Sequence, residues 1–187
     1  MKVHKPRLIE ALINFDKPIV VAVQGAAIGG GTTMLTHCDF VFAGESAKFQ
    51  MAFVNLALVP EFGSSYSVPA RIGYLRAAEL ILLGLPFNAT RAADLGLVTR
   101  VMADEKLLET ATQTARDLAK KPPAAVRACK RLMRSSTREQ LVRAAKFENE
   151  EFSVRVRSAE AKEAFTAFIE KRKPNFEDIS ESKARAA

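Results

Sequence analysis

The chain has 187 residues, of which 48% are apolar and 26% charged, and this length and composition predict a globular protein with one sizeable core. No apolar run reaches membrane-spanning length, so we expect no membrane partner. The net charge of +7 permits an anionic partner, but basic and acidic residues alternate over residues 116–173 and tryptophan is absent, so we expect no nucleic-acid binding.

The two cysteines, Cys38 and Cys129, are too few and too far apart for a disulfide framework or a zinc site. This predicts a reducing, cytoplasmic location and no metal. His37 has no histidine, serine or cysteine partner at a recognisable spacing. We therefore interpret it as a buried, hydrogen-bonded histidine and not as part of a catalytic triad.

Hydrophobic periodicity and turn residues predict alternating strands and helices as far as residue 102. Strands are predicted over residues 19–24, 39–43, 47–51 and 97–102. Helices are predicted over residues 7–15, 32–37, 62–72 and 75–83, with Thr90 capping a further helix that ends at Gly96. The first strand is apolar on both faces and should lie in a sheet that is covered on both sides. This alternation predicts an α/β fold.

From Asp104 onward the pattern predicts helices alone. Asp104 is expected to cap a helix over residues 107–119, and a proline pair to begin a helix over residues 124–134. Thr137 and Gln140 are expected to form a capping box before a helix over residues 141–156, and Ser158 to cap the last helix. The apolar stripe of that helix comprises Ala161, Ala164, Phe165, Phe168 and Ile169. We divide the chain into an α/β part, residues 1–121, and a helical part, residues 122–187.

Three consecutive glycines, Gly29 to Gly31, follow the first predicted strand. The surrounding string QGAAIGGG lacks the spacing of a dinucleotide fingerprint and is not a Walker A motif. Glycines let a backbone approach a ligand closely, and the N–H of Gly30 would lie at the positive end of the next helix. Tight packing of helix against strand is an equally good interpretation of the glycines alone.

Glu61 follows Pro60 in an otherwise apolar stretch. If buried, this carboxylate would have a raised pKa and act as a base near neutral pH. The other interpretation is a first-turn acid that suits the dipole of the next helix, and the spacing alone favours it. Together with the glycine turn, however, Glu61 indicates a site that forms an enolate: an N–H holds a thioester oxygen while a carboxylate removes a proton.

Five segments occur in order that resemble one known family: KPIVVAVQGAAIGGG, CDFVFAGESAKFQ, VPEFGSSYSVPARIG, ATRAADLGLVTRV and AFIEKRKPNF. Over nearly its whole length the chain resembles the crotonase (enoyl-CoA hydratase/isomerase) superfamily. The resemblance implies stacked ββα turns, a C-terminal helical region that builds trimers or hexamers, and acyl-CoA substrates. Coenzyme A enters as part of the substrate, and no separate cofactor is implied.

The same resemblance assigns roles to individual residues. Gly30 carries one N–H of the oxyanion hole, and Phe168 and Lys171 lie where the last helix meets the CoA nucleotide, often that of a neighbouring subunit. The two glutamates of hydratases fall on Thr33 and Phe53, which would line a drier substrate pocket unable to add water. Pro60 and Glu61 instead resemble the Δ3,Δ2-enoyl-CoA isomerase branch, in which one carboxylate moves a proton from C2 to C4.

The resemblance therefore predicts an acyl-CoA isomerase of fatty-acid degradation. Two alternatives stay open: a non-catalytic or truncated paralogue that binds acyl-CoA, and a hydratase-like lyase that takes its second acid from elsewhere. The family's other oxyanion N–H comes from a loop that would precede Met1, so we expect a fragment or a truncated paralogue. Loss of one oxyanion donor lowers turnover by about a hundred- to thousandfold.

Overall fold

The computed structural model describes residues 7–177 and residue 179. The strands are β1 (Val20–Val23), β2 (Ala26–Ile28), β3 (Phe40–Gly44), β4 (Lys48–Gln50), β5 (Phe87–Asn88) and β6 (Arg100–Met102). The α-helices are α1 (Arg7–Asn14), α2 (Gly30–Thr33), α3 (Ser64–Ile72), α4 (Tyr74–Leu82), α5 (Ala89–Asp94), α6 (Asp104–Ala119), α7 (Pro123–Ser135), α8 (Arg138–Arg155) and α9 (Ala159–Ile169). Short 3-10 helices cover Met34–His37 and Val54–Leu56.

The six strands in the described part of the chain form two sheets of three strands each. In the first sheet, β3 lies between β1 and β6 and is parallel to both. In the second, β4 lies between β2 and β5, parallel to β2 and antiparallel to β5. The pairs β1–β2 and β3–β4 each give one strand to each sheet and are followed by a helix, whereas α5 lies between β5 and β6. The predicted α/β fold of stacked ββα turns is therefore present.

β1 is less covered than its sequence predicts. It pairs with β3 along one edge and lies at the end of the described part of its sheet. Val23 is buried, whereas Ala22 is exposed. An apolar strand at a sheet edge thus keeps one face partly open, and the expectation of cover on both faces is wrong for Ala22.

β2 was not predicted, because three residues inside a glycine-rich string are too few to show a period. Its pairing with β4 runs from Ala26 opposite Lys48 to Ile28 opposite Gln50. Left-handed glycines bound it on both sides, with φ of 72° at Gly25 and 57° at Gly29. These turns direct the chain from β2 straight into α2.

Two predicted helix caps are wrong, and a third residue, Thr137, occupies the predicted N-cap of α8 without a side-chain capping bond. The cap of α5 is Asn88, whose side chain accepts from the N–H of Arg91 at 2.8 Å, while Thr90 lies inside the helix. Asp104 is the first residue of α6, and its carboxylate accepts from Ser46 N at 3.2 Å instead of capping its own helix. Thr137 makes no cap bond, since its hydroxyl donates to the Arg134 carbonyl. A small polar side chain near the start of a helix can form a hydrogen bond with a group other than the first amides of that helix.

The main core lies between the two sheets and the helices α3 to α5, with Phe49, Met51 and Val68 fully buried. A smaller cluster joins α1 to α8 through Ile9, Ile13 and Ala145, and Phe62 and Leu141 pack against it. This second cluster attaches the C-terminal helices to the segment that follows Glu61.

The helices after residue 122 also pack on the α/β part. Lys130 of α7 is buried and donates from Nζ to Asp39 Oδ2 at 2.7 Å. Ser158 caps α9 as predicted, accepting from Ala161 N at 3.0 Å.

No helix in residues 7–177 is long and apolar enough to cross a membrane. The division at residue 122 stays a prediction.

The buried stripe of α9 is rotated from the predicted one. Ala161, Ala164 and Ala167 are buried, whereas Phe168 is 74% and Ile169 78% exposed. Alanines three residues apart allow close approach to the 3-10 helix Val54–Leu56, which α9 contacts. The larger side chains are consequently left facing outward.

Candidate active site

The structure brings Glu61 and Gly30 into direct contact. A Cβ built on Gly30 would lie 2.6 Å from Oε1 of Glu61 and 3.1 Å from Cε2 of Phe62. Only glycine therefore leaves room for the carboxylate at this position. The sequence predicts each residue separately, and the fold places them side by side.

The backbone N–H of Gly30 is the first amide of α2. Two later amides of the same helix, of Thr32 and Thr33, donate to the Gly29 carbonyl at 2.9 Å and 3.1 Å. First-turn amides have no acceptor inside their own helix, and no acceptor for Gly30 N–H lies among the described residues. This donor is thus available to a ligand that reaches Glu61.

Glu61 is partly buried and lies outside any helix. The interpretation of Glu61 as a first-turn acid is wrong, because α3 begins at Ser64 and its N-cap is Gly63. Burial raises the pKa of Glu61, and the negative charge of Glu148 raises it further. Both effects make Glu61 a stronger base than an exposed glutamate.

The backbone after Glu61 is strained. Phe62 has a φ of 63° and Gly63 a φ of 70°. For a residue with a side chain, this left-handed conformation costs roughly 1–3 kcal/mol and persists only where the surroundings enforce it. The contacts of His37 and Glu148 with this segment supply that enforcement.

His37 is fully buried beneath the Glu61 segment. Its Nε2 lies 2.7 Å from the carbonyl oxygen of Phe62. Because a carbonyl only accepts, Nε2 carries the proton and donates. Burial lowers the pKa of His37, which favours the neutral ring. The predicted buried, hydrogen-bonded histidine is confirmed.

Glu148 of α8, a distant residue in the sequence, contacts the same segment. Its Oε2 accepts from Gly63 N at 2.6 Å and its Oε1 from Ser65 N at 2.7 Å. The side chain is 6% exposed. Burial raises the pKa of Glu148, and hydrogen bonds from the side chain and amide of Ser65 and from the Gly63 amide oppose this by favouring the ionised form.

Sequence reasoning missed Glu148, although a signal for it exists. Leu141, Ala145 and Glu148 follow a helical spacing of four and three residues, so Glu148 stands on the stripe of α8 that faces inward. A glutamate on an apolar stripe needs buried partners. The backbone amides of Gly63 and Ser65 are those partners.

Thr33 and Phe53 line the glycine turn without offering an ionisable group. Thr33 is fully buried, and its hydroxyl donates to the Gly29 carbonyl at 3.4 Å. Phe53 is 4% exposed, with its ring carbon Cε1 3.8 Å from a Cβ built on Gly29. The wall beside Gly30 is therefore mostly apolar.

Phe168 lies in the last turn of α9, and Lys171 follows the C-terminal end of that helix. Both are exposed, and Lys171 leaves the helix with a φ of 55°. Neither hydrogen-bonds to Glu61 or Gly30. Within residues 7–177 no group of histidine, cysteine, aspartate and glutamate side chains could hold a metal ion.

The arrangement can hold a developing oxyanion beside a base. Comparison with known proteins identifies the family of the chain. A family model described as enoyl-CoA hydratase/isomerase matches residues 2–180. The chain belongs to the enoyl-CoA hydratase/isomerase family. The predicted superfamily is thereby confirmed.

Curated relatives carry both isomerase and hydratase names. The chain is 37% identical to the 1,2-epoxyphenylacetyl-CoA isomerase of Escherichia coli K12, covering 90% of this chain and 64% of that enzyme. It is 36% identical to a probable enoyl-CoA hydratase of Bacillus subtilis 168, covering 91% of this chain and 66% of the relative. The chain thus spans about two thirds of the length of these enoyl-CoA hydratase/isomerase family members.

Two solved structures share the fold of this chain. An enoyl-CoA hydratase/isomerase from Pseudoalteromonas atlantica T6c superposes with a TM-score of 0.87 at 42% identity, over 90% of this chain and 68% of that one. Pseudomonas aeruginosa OdaA superposes with a TM-score of 0.83 at 46% identity, over 86% of this chain and 65% of that one. The predicted crotonase-type fold is confirmed.

Proposed function

We propose that the chain carries the site of an acyl-CoA isomerase that moves a C3 double bond to C2 in fatty-acid degradation. The observation that carries the proposal is the contact of Glu61 with Gly30, where a Cβ would lie 2.6 Å from the carboxylate. A base then lies next to a residue whose backbone N–H, in the first turn of α2, has no acceptor among the described residues. Deprotonation next to a thioester carbonyl needs both groups at once.

The reaction needs no co-reactant. Ionised Glu61 removes a proton from C2, and the electron pair of the C–H bond forms an enolate whose oxygen accepts from Gly30 N–H. The protonated carboxyl then delivers the proton to C4, and the electrons of the C3–C4 double bond and the enolate shift to leave a double bond between C2 and C3. Proton transfer by a positioned group contributes about 10²- to 10⁴-fold, and one oxyanion donor about 10²- to 10³-fold.

Hydration is the second candidate, favoured by the names of relatives such as the probable enoyl-CoA hydratase of Bacillus subtilis. Addition of water across a double bond requires a second acid. Thr33 and Phe53 cannot supply it, and both oxygens of Glu148 already accept backbone amides. These residues support isomerisation over hydration. We expect hydration of a short 2-enoyl-CoA to run at least 100-fold slower than isomerisation, measured as loss of the conjugated thioester absorbance.

Binding of the CoA end is proposed for Phe168 and Lys171. An exposed aromatic ring and a cation at one helix end suit a nucleotide, since the ring stacks on the base and the ammonium pairs with phosphate. We further propose that the chain works as a homotrimer or hexamer in the cytoplasm. The free thiols of Cys38 and Cys129 agree with a reducing compartment.

The test compares the wild-type chain with Glu61→Gln and with the matched control Glu45→Gln, an identical change at an exposed position. The substrate is a 3-enoyl-CoA, and the product is followed by the rise of conjugated thioester absorbance. We expect Glu61→Gln to lower turnover at least 100-fold while substrate binding changes less than threefold, and Glu45→Gln to match the wild type. A Glu61→Gln chain with most of the wild-type turnover would contradict the assignment. A wild-type chain that binds 3-enoyl-CoA without converting it would favour the non-catalytic alternative.

A further inference from the structure

Glu148 lies far from Glu61 in sequence, yet it holds the backbone immediately beyond it. Its two carboxylate oxygens accept from Gly63 N at 2.6 Å and from Ser65 N at 2.7 Å. These amides flank the first residue of α3, three positions after Glu61. Bonds from ionised acceptors to backbone amides are among the stronger hydrogen bonds in proteins.

The segment that Glu148 holds would not keep its conformation unaided. Two consecutive residues, Phe62 and Gly63, have positive φ values of 63° and 70°. The chain turns here, with Ser64 N donating to the Glu61 carbonyl at 3.2 Å, and the Glu61 carboxylate lies against Gly30. His37 fixes the carbonyl of Phe62 from one side, and Glu148 fixes the amides that follow from the other.

We propose that Glu148 is a positioning residue for the base: by binding the amides of Gly63 and Ser65, it fixes the segment that sets the Glu61 carboxylate against Gly30. The inference rests on the proposed function, because it takes Glu61 as the base. It also gives the helical region a part in the chemistry, since α8 supplies Glu148.

The charge of Glu148 has a second consequence, for the pH dependence of the reaction. Burial is the larger cause that raises the pKa of Glu61, and the charge of Glu148 is the other. From the 3-10 helix on the far side of Phe62, His37 contributes a buried ring whose lowered pKa favours the neutral form. Removal of the charge at Glu148 should therefore let Glu61 ionise at a lower pH.

The activity test uses three variants of the full chain. Glu148→Gln removes the charge and places an NH2 group against one of the two backbone amides. Glu148→Asp keeps the charge on a shorter side chain. Glu150→Gln, the control, changes glutamate to glutamine at an exposed position of α8. For isomerisation we expect kcat to fall about 10- to 100-fold in both Glu148 variants with KM within about twofold, because small misplacements of a catalytic group cost this much. The acid limb of kcat should move to lower pH in Glu148→Gln but stay near the wild type in Glu148→Asp. Glu150→Gln should change neither quantity.

A measurement independent of turnover separates this inference from the proposed function. The amide protons of Gly63 and Ser65, bound to a carboxylate, should resonate downfield in wild-type NMR spectra, move upfield in Glu148→Gln and stay in place in Glu150→Gln. The carboxyl carbon of Glu61, assigned by its loss in Glu61→Gln, should titrate at lower pH in Glu148→Gln. The positioning role would be overturned if the Gly63 and Ser65 amide protons had ordinary shifts in the wild type. It would also be overturned if Glu148→Gln changed neither the titration of the Glu61 carboxyl carbon nor kcat. If the wild-type chain does not isomerise, the proposed function fails while the amide and carbon signals still decide the role of Glu148.

Discussion

Oε1 of Glu61 occupies the space in which a side chain at Gly30 would begin, 2.6 Å from the position of its Cβ. The glycine is thus needed for steric reasons, independent of any backbone conformation that favours glycine. Its neighbours differ in this respect. A Cβ on Gly31 would meet its nearest atom, Cβ of Ala27, only at 4.0 Å.

We predict that Gly30→Ala abolishes isomerase activity, with a loss of at least about 100-fold, because the new methyl group displaces the Glu61 carboxylate or the ring of Phe62. Gly31→Ala is the matched control in the same short helix. It should keep turnover within a few-fold of the wild type, since its methyl group has room and alanine favours helix. Equal activity of the two variants in the absorbance assay would show that the contact with Gly30 does not matter for catalysis.

Glu61→Gln should stabilise the chain at neutral pH. The folded-state pKa of Glu61 is raised above the ordinary glutamate value of 4.5, mainly by burial, so the ionised carboxylate disfavours folding at pH above both values. Glutamine carries no such cost. We therefore expect a higher Tm for Glu61→Gln than for the wild type at pH 7.

The sign of this effect gives the pH test. As pH falls through the raised pKa toward 4.5, the wild type takes up its proton more readily when folded than when unfolded, and the advantage of Glu61→Gln should shrink. Thermal melts of both proteins between pH 4 and pH 8 measure the difference, with Glu45→Gln as the exposed control. A constant difference over this range would mean that the carboxylate of Glu61 is not destabilised by burial.

Local patterns in the sequence were enough to find Gly30 and Glu61 but not their contact. That contact depends on the pairing of β2 with β4, and β2 is too short to show a period. The first-turn interpretation of Glu61 was wrong because the chain reverses at Phe62 before α3 begins. Positive φ at a phenylalanine has no sequence signature.

Glu148 and the face of α9 were missed for a related reason. The spacing of Glu148 from Ala145 places it on the inward stripe of α8, but a glutamate in a charged helix is normally solvated, and its two amide partners lie far away in the sequence. In α9, the apolar period alone allowed either Phe168 or Ala167 to face inward. The close approach of the 3-10 helix Val54–Leu56 selects the small residue, and no spacing in the sequence reveals that distance.

We predict a trimer or hexamer, with a mass three or six times 20.5 kDa by light scattering. Large apolar side chains after residue 122 remain exposed and need a partner surface, among them Leu132 at 73% and Met133 at 72%. Leu132→Asp should lower the assembled mass. The control Leu108→Asp changes an equally exposed leucine that precedes residue 122 and should leave the mass unchanged. A wild-type chain that is monomeric at micromolar concentration would contradict the predicted trimer or hexamer.

The ion pair between Lys130 and Asp39 should be a major link between the helical region and the sheet. Lys130 is 3% exposed, and its Nζ donates to Asp39 Oδ2 at 2.7 Å and to the Lys17 carbonyl at 2.6 Å. Removing one partner of a buried pair leaves an uncompensated charge and typically costs about 3–5 kcal/mol. We therefore predict a loss of this size in the free energy of unfolding for Lys130→Met, measured by urea denaturation.

Two further variants separate charge from packing at this pair. Lys130→Met combined with Asp39→Asn should recover part of the loss, because the remaining buried group is then neutral. Lys120→Met breaks an exposed pair with Asp117 and should cost at most about 1 kcal/mol. If Lys130→Met cost no more than Lys120→Met, the ion pair of α7 with Asp39 would not be a major link. The helical region would then be held to the α/β part by its other contacts, which include the apolar cluster of α1 and α8 and the hydrogen bonds of Glu148.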